Sequence, residues 1–190
     1  MKIGLYFGSF NPVHVGHLII ASHAVNETDL NQVWFVVSPQ NPFKQSASLL
    51  NEYHRLHLIK SAIDGEKNLR ASNVEFNLPK PSYTVDSLAY LKEKHPEHEF
   101  SILMGSDGFQ NLNKWKNYEV IVASHTIYIY KRPGFEVTET FGANLHILNA
   151  PLLEISSTLI RELIRNKKSV RFFFFFFVKE EIELAGYYKS

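Results

Sequence analysis

This chain of 190 residues predicts an α/β fold, a parallel sheet covered by helices on both faces. Three observations carry that expectation. Short apolar runs alternate with segments of helical period, the first run ends on a glycine just before a helix, and another near mid-chain also ends on a glycine. Such alternation is the pattern of βαβ units, in which ligands gather beyond the carboxyl ends of the strands.

The elements follow in order. Ile3 to Phe7 is an apolar run stopping at Gly8, and from Val15 to Val25 apolar residues recur at helical spacing, so strand, loop and helix open the chain. Val33 to Val37 is a second strand, followed by the turn-rich stretch SPQNPF and an amphipathic helix from Leu49 to Ile63. Pro79 and Pro81 precede a helix over Thr84 to Lys94, which Pro96 ends. Phe100 to Met104 is a strand stopping at Gly105, Thr126 to Tyr130 a strand stopping before Arg132-Pro133-Gly134, and Leu145 to Leu148 the last strand. Ile155 to Ile164 and Val178 to Ala185 read as closing helices, the first with Ser156 or Ser157 as its cap.

The length suits a single domain spanning 1–190, and no repeat or long linker divides it. With 20 Lys plus Arg against 19 Asp plus Glu, the net charge of +1 gives no general attraction to nucleic acid or anionic membrane. Any phosphate binding is therefore local. The absence of cysteine excludes disulfides and thiol chemistry and suits a reducing compartment, so a cytoplasmic location is expected. Neither an export signal nor the roughly 20 apolar residues of a membrane helix is visible. Phe172 to Phe177 is a run of phenylalanines that fits neither helical nor strand period, and most of it is expected to be buried, with a homo-oligomer contact as the alternative.

The strongest local signal is Gly8-Ser9-Phe10-Asn11-Pro12-Val13-His14-Val15-Gly16-His17, between the first strand and the first helix. Gly8 allows backbone to approach a ligand, and the start of the helix offers free N–H groups and a positive dipole end to a phosphate. His14 and His17 are three apart, so both project to one side of the helix start and can donate to one charged group. Similar histidine spacings at His54/His57 and His95/His98 lack this context. A second cluster, Ile155-Ser156-Ser157-Thr158-Leu159-Ile160-Arg161, opens a helix with hydroxyls and an arginine suited to phosphates. Taken alone, this second cluster also fits an ordinary capped helix. Neither Gly-x-x-x-x-Gly-Lys nor Gly-x-Gly-x-x-Gly occurs, which counts against a P-loop hydrolase and a dinucleotide-dependent dehydrogenase.

The first cluster resembles the signature of the HxGH nucleotidyltransferase superfamily and the second, ISSTxIR, its second signature. The fold this resemblance implies is Rossmann-like, of the nucleotidyltransferase type. Further residues, Pro81-Ser82-Tyr83-Thr84, Met104-Gly105-Ser106-Asp107, Trp115, Tyr118-Glu119 and Lys131-Arg132-Pro133-Gly134, are similar to bacterial nicotinate-nucleotide adenylyltransferases over nearly the whole chain. That resemblance implies transfer of AMP from ATP to nicotinate mononucleotide, giving deamido-NAD and pyrophosphate in NAD biosynthesis.

By matched position, His14, His17 and Arg161 are the expected catalytic residues. Gly8, Ser9, Phe10, Gly16, Lys44, Gly105, Asp107, Ser157 and Thr158 are expected at ATP, and Thr84, Trp115, Tyr118 and Arg132 at the mononucleotide. Lys44 follows Phe43, where the family often has His-Lys, and Arg55 matches an arginine of the next helix that could reach the phosphates. Taken alone, Trp115 reads equally as core packing, and Asp107 as a helix cap. Mg²⁺ is the implied cofactor, held mainly by ATP phosphates, since no carboxylate cage is visible and no metal ligand is expected from the protein. Phosphopantetheine adenylyltransferase is the nearest rival within the superfamily, and an ATP-binding regulatory module without turnover the rival outside it.

Overall fold

The computed structural model describes residues 1–40 and 49–189. Its strands are β1 (Lys2–Gly8), β2 (Gln32–Val37), β3 (Leu69–Ser72), β4 (Glu99–Gly105), β5 (Ile127–Tyr130) and β6 (Leu145–Leu148). The α-helices are α1 (Val15–Glu27), α2 (Glu52–Ala62), α3 (Thr84–Lys94), α4 (Ser106–Phe109), α5 (Tyr118–Ser124), α6 (Ser157–Arg165) and α7 (Phe176–Ala185).

Among the described residues the six strands form one sheet in the order β3-β2-β1-β4-β5-β6, and every pairing is parallel. This is the helix-covered parallel sheet that the alternating pattern predicts, of the Rossmann-like type that the resemblance implies. The chain winds outward to β3, then returns to place β4 against the other side of β1. The crossovers from β1 and β4 therefore leave in opposite directions, and a crevice opens past the ends of these two strands.

Alternate strand residues serve opposite faces. Ile3 and Leu5 of β1, with Ile102, Met104, Ile127 and Ile129, pack under Leu88 and Leu91 of α3 and Ile121 of α5. Tyr6, Phe35, Leu103, Tyr128 and Tyr130 face the other way, against Ala21 of α1, Leu58 of α2, Ile160 of α6 and Val178 of α7. Each such aliphatic side chain removed from water contributes roughly 2 kcal/mol before chain entropy is counted.

The strand β3 was not expected, because Leu-Arg-Ala-Ser has no apolar run. It lies at the sheet edge and pairs only with β2, so it needs little apolar surface. The short helices α4 and α5 were also not anticipated.

The phenylalanine run departs from its expected burial. Phe174 is 6% exposed and joins the core, whereas Phe172 is 84% exposed and Phe175, Phe176 and Phe177 are also exposed. The reason is geometric. A 3-10 turn over Arg171–Phe173 points successive side chains in different directions, and the inward stripe of α7 is Val178 and Ile182, leaving Phe176 and Phe177 outside.

Candidate active site

A cleft of about 360 Å³ lies at the switch between β1 and β4. The loop after β1, the residues after β4, the start of α1 and the start of α6 all line it, so the two motifs, from opposite ends of the chain, share one wall. Two hydrogen bonds make that junction. Ser157 Oγ donates to the Pro12 carbonyl at 2.9 Å, and Arg161 Nη1 donates to the Asn11 carbonyl at 2.7 Å. Arg161 Nη2 also donates to Thr158 Oγ1 at 3.3 Å. Ser156 Oγ caps α6 by accepting the N–H of Leu159 at 3.2 Å, which leaves Ser157 and Thr158 in the first turn facing the cleft.

The two imidazoles sit at the head of α1. Their rings stack with centroids 3.7 Å apart, and the backbone N–H of His14 donates to His17 Nδ1 at 3.2 Å. Neutral His17 is therefore protonated at Nε2. His14 is 4% exposed, and its burial, reinforced by the charge of Arg132, pulls its pKa down to about 3. Its Nδ1 is buried and has no hydrogen-bond partner among the described residues. Gly16 makes this packing feasible, since a Cβ there would come within 3.1 Å of the His14 ring.

Gly8 is similarly constrained, as its Cβ would lie 2.9 Å from the Phe10 ring. Phe10 has φ 44°, a left-handed conformation costly for a bulky residue, and its ring is buried edge-on against Tyr6, His17 and Phe35. It thus forms the floor under His17. Ser9 lines the cleft, and its carbonyl accepts from Arg55.

Arg55 corrects an expectation. It does not reach toward phosphates but is 0% exposed, donating to the carbonyls of Leu50, Ser9, Ser38 and Pro39 at 2.7, 2.6, 2.9 and 3.3 Å. It clamps the loops after β1 and β2 together, at the cost of desolvating a guanidinium, and burial accordingly lowers its pKa.

On the β4 side, a Cβ on Gly105 would overlap Asp107 Oδ1 and sit 3.0 Å from the Tyr130 ring. Asp107 Oδ1 lies 3.4 Å from Arg132 Nε, Arg132 Nη2 donates to Tyr130 Oη at 3.1 Å, and Tyr6 Oη donates to Tyr130 Oη at 3.2 Å. The backbone N–H of Arg132 donates to Ser106 Oγ at 2.9 Å. Sequence reasoning missed Asn11, Ser106 and Tyr130. Ser106 lies within a quoted motif and Tyr130 ends an expected strand, but nothing local says that the Tyr130 hydroxyl comes within reach of Tyr6, 124 residues away on β1.

The expected mononucleotide residues divide. Trp115 and Arg132 line the cleft, whereas Thr84 and Tyr118 do not. Thr84 opens α3 and Tyr118 opens α5, with its ring against Phe141. Lys116 brings these two starts together, its Nζ 2.9 Å from Asp86 and 4.8 Å above the Tyr83 ring. Lys44 lies outside the described residues.

For a metal, the donor set of the cleft is sparse. Among the described residues lining it, Asp107 is the sole carboxylate. His95, Glu97 and His98 bring three potential ligands together, but between α3 and β4, at the other end of the strands. His95 Nδ1 and His98 Nδ1 lie 3.8 and 3.2 Å from the same Glu97 carboxylate oxygen, and this cluster is separate from the cleft and its nucleotide loops.

Comparison with known proteins places this architecture. Residues 5–163 match the cytidylyltransferase-like family. The chain is 51% identical to the "probable nicotinate-nucleotide adenylyltransferase" of Flavobacterium psychrophilum over 90% of both chains. It is 47% identical to the protein of that name from Cytophaga hutchinsonii over the whole of both. The nicotinic acid mononucleotide adenylyltransferase of Plasmodium falciparum, solved with NaAD, superimposes with a TM-score of 0.84 over 98% of this chain and 97% of its own; at 21% identity that likeness speaks for the fold. The chain belongs to the nicotinate-nucleotide adenylyltransferase family, within the cytidylyltransferase-like group.

Proposed function

We infer that this protein transfers AMP from ATP to nicotinate mononucleotide, forming deamido-NAD and releasing pyrophosphate as a step of NAD biosynthesis. The observation carrying this reading is the meeting of His14, His17, Ser157, Thr158 and Arg161 with Trp115 and Arg132 around one cleft. Phosphate donors line one part of it, while an aromatic face and a guanidinium line another.

In this reading a phosphate oxygen of the mononucleotide attacks the α-phosphorus of ATP. The new P–O bond forms as the bond to the bridging oxygen breaks, and pyrophosphate departs with that electron pair. The attacking phosphate is already a nucleophile near neutral pH, so alignment and charge stabilisation are what the protein supplies. His17 donates from Nε2 to the oxygens gaining charge. His14 acts as a neutral donor, since its depressed pKa keeps it uncharged across the physiological range. Ser157, Thr158 and the N–H groups opening α6 receive the leaving pyrophosphate, with Arg161 supplying positive charge. Ser9, Gly8 and Gly105 let ATP lie against backbone, Asp107 helps to hold that nucleotide, and Arg132 faces the mononucleotide. Asp107, the sole carboxylate among the described residues lining the cleft, would face Mg²⁺ bound with the ATP phosphates, which would supply further charge neutralisation.

Trp115 offers its face to the pyridine ring; Thr84 and Tyr118 do not line the cleft itself, and their part in this reading is at its margin, where Lys116 ties the starts of α3 and α5 together. Lys44, outside the described residues, is a further proposed contact to ATP. The protein works in the cytoplasm on these two small substrates, without nucleic acid or membrane. No helix among the described residues is long and apolar enough to cross a membrane. Exposed Phe176 and Phe177 are the surface on which a homo-oligomer would form.

Pyrophosphate release from ATP and Mg²⁺ with nicotinate mononucleotide, nicotinamide mononucleotide or phosphopantetheine, supplied separately, tests the reading. A strong preference for the first is expected. Preference for phosphopantetheine would overturn the pyridine assignment, and ATP binding without turnover on any acceptor would favour a regulatory module.

A further inference from the structure

Away from the cleft, the most unusual polar group is Glu75. It is 2% exposed, in the 3-10 turn Val74–Asn77 that follows β3. Ser82 Oγ donates to one of its carboxyl oxygens at 2.5 Å and Ser87 Oγ to the other at 2.8 Å, while the Ser38 hydroxyl also donates to it. No cation pairs with it among the described residues.

This arrangement is hard to explain by stability alone. A buried carboxylate without a counter-charge costs free energy, and burial raises its pKa. An ionised carboxylate nevertheless does what no amide does, accepting from three hydroxyls at once, because both oxygens carry only lone pairs. The three serines come from separate places. Ser38 directly follows β2, where its carbonyl accepts from Arg55, Ser82 sits two residues before α3, and Ser87 lies in the first turn of α3. Glu75 thus joins the carboxyl end of β2 to the start of α3, on both sides of Thr84.

We propose that Glu75 is a positioning residue for the mononucleotide pocket, setting the start of α3, and with it Thr84, relative to the nucleotide loops by gathering Ser38, Ser82 and Ser87. The proposal rests on the reading that Thr84 belongs to the nicotinate end of the site. Glu75 touches no substrate itself. Its influence passes through Thr84 and through the Asp86–Lys116 pair that brings the Trp115 segment alongside. Small displacements of such a wall weaken binding of one substrate while leaving the ATP side intact.

The test is Glu75→Gln, with Ser87→Ala as a second variant, each followed by thermal melting and by separate KM values for nicotinate mononucleotide and ATP. Glu75→Gln keeps the shape but removes one acceptor oxygen and the buried charge. A melting temperature equal to or above wild type is therefore expected, together with a KM for the mononucleotide raised about fivefold or more and a KM for ATP within about twofold. Ser87→Ala is expected to shift the same KM in the same direction, by less. A mononucleotide KM at the wild-type value in both variants would overturn the proposal. So would equal rises in both KM values accompanied by loss of thermal stability, the pattern of a purely structural residue. Failure of the underlying functional reading is distinguishable, because wild-type protein would then release no pyrophosphate with nicotinate mononucleotide, and the proposal would fall with it.

Discussion

Arg161 Nη1 donates to the carbonyl of Asn11 at 2.7 Å, joining residues 150 positions apart. The same guanidinium reaches Thr158 Oγ1, and its buried Nε has no hydrogen-bond partner among the described residues. One arginine thus holds the opening loop in place and keeps donor capacity for an incoming group. Its planar fork serves both tasks at once, which a lysine ammonium cannot reproduce.

Arg161→Lys is accordingly expected to lower kcat by about 100-fold, the scale of losing a preorganised charge-stabilising donor. The KM for the mononucleotide should stay near wild type. Steady-state pyrophosphate release measures both, and an unchanged kcat would remove Arg161 from the mechanism.

The buried neutral His14 makes stability depend on pH. The unfolded chain takes up a proton on this residue near pH 6.5, whereas the folded protein does so only near 3. Between those values the unfolded state holds more protons, so stability rises with pH and is lost on acidification, by a few kcal/mol in total. His14→Asn should flatten the acid limb of melting temperature against pH in that window. Parallel limbs for the variant and the wild type would show that His14 is not buried neutral.

Arg55 serves four carbonyls with a buried guanidinium. Arg55→Met fills similar volume but leaves those acceptors without donors. Unfolding free energy from urea titration is expected to fall by about 3 kcal/mol or more. A loss under about 1 kcal/mol would mean that water replaces the guanidinium readily.

The phenylalanine run should divide sharply by position. Phe174→Ala removes a core side chain and is expected to cost about 3 kcal/mol. Phe176→Ser together with Phe177→Ser, both exposed, should change stability by no more than about 0.5 kcal/mol per site. Chemical denaturation of the two variants decides between this pattern and a buried run, and light scattering on the double variant shows whether these rings hold copies of the chain together.

Much of the fold was legible because local rules govern it. Apolar runs such as Val33 to Val37 and Ile127 to Tyr130 need burial on both faces, and only a helix-covered parallel sheet supplies it. The edge strand β3 was not legible, since pairing on one side demands no apolar signal. Nor was the exposure of Phe175, Phe176 and Phe177, because hydrophobicity states a preference for burial while the direction of a turn decides whether it is met.

At the site, the sequence by itself singled out residues that meet at the cleft: a strand ending on Gly8, a histidine pair one helical turn apart at His14 and His17, and hydroxyls with Arg161 at another helix start. Those are short-range patterns, written within ten residues. Only the tertiary structure decided that Asn11 and Arg161 meet, that Arg55 is a buried clamp rather than a phosphate ligand, and that Glu75 gathers three serines from separate segments. These are contacts between residues distant in the chain. Their geometry depends on strand order and on which face each side chain takes, and no local pattern encodes either.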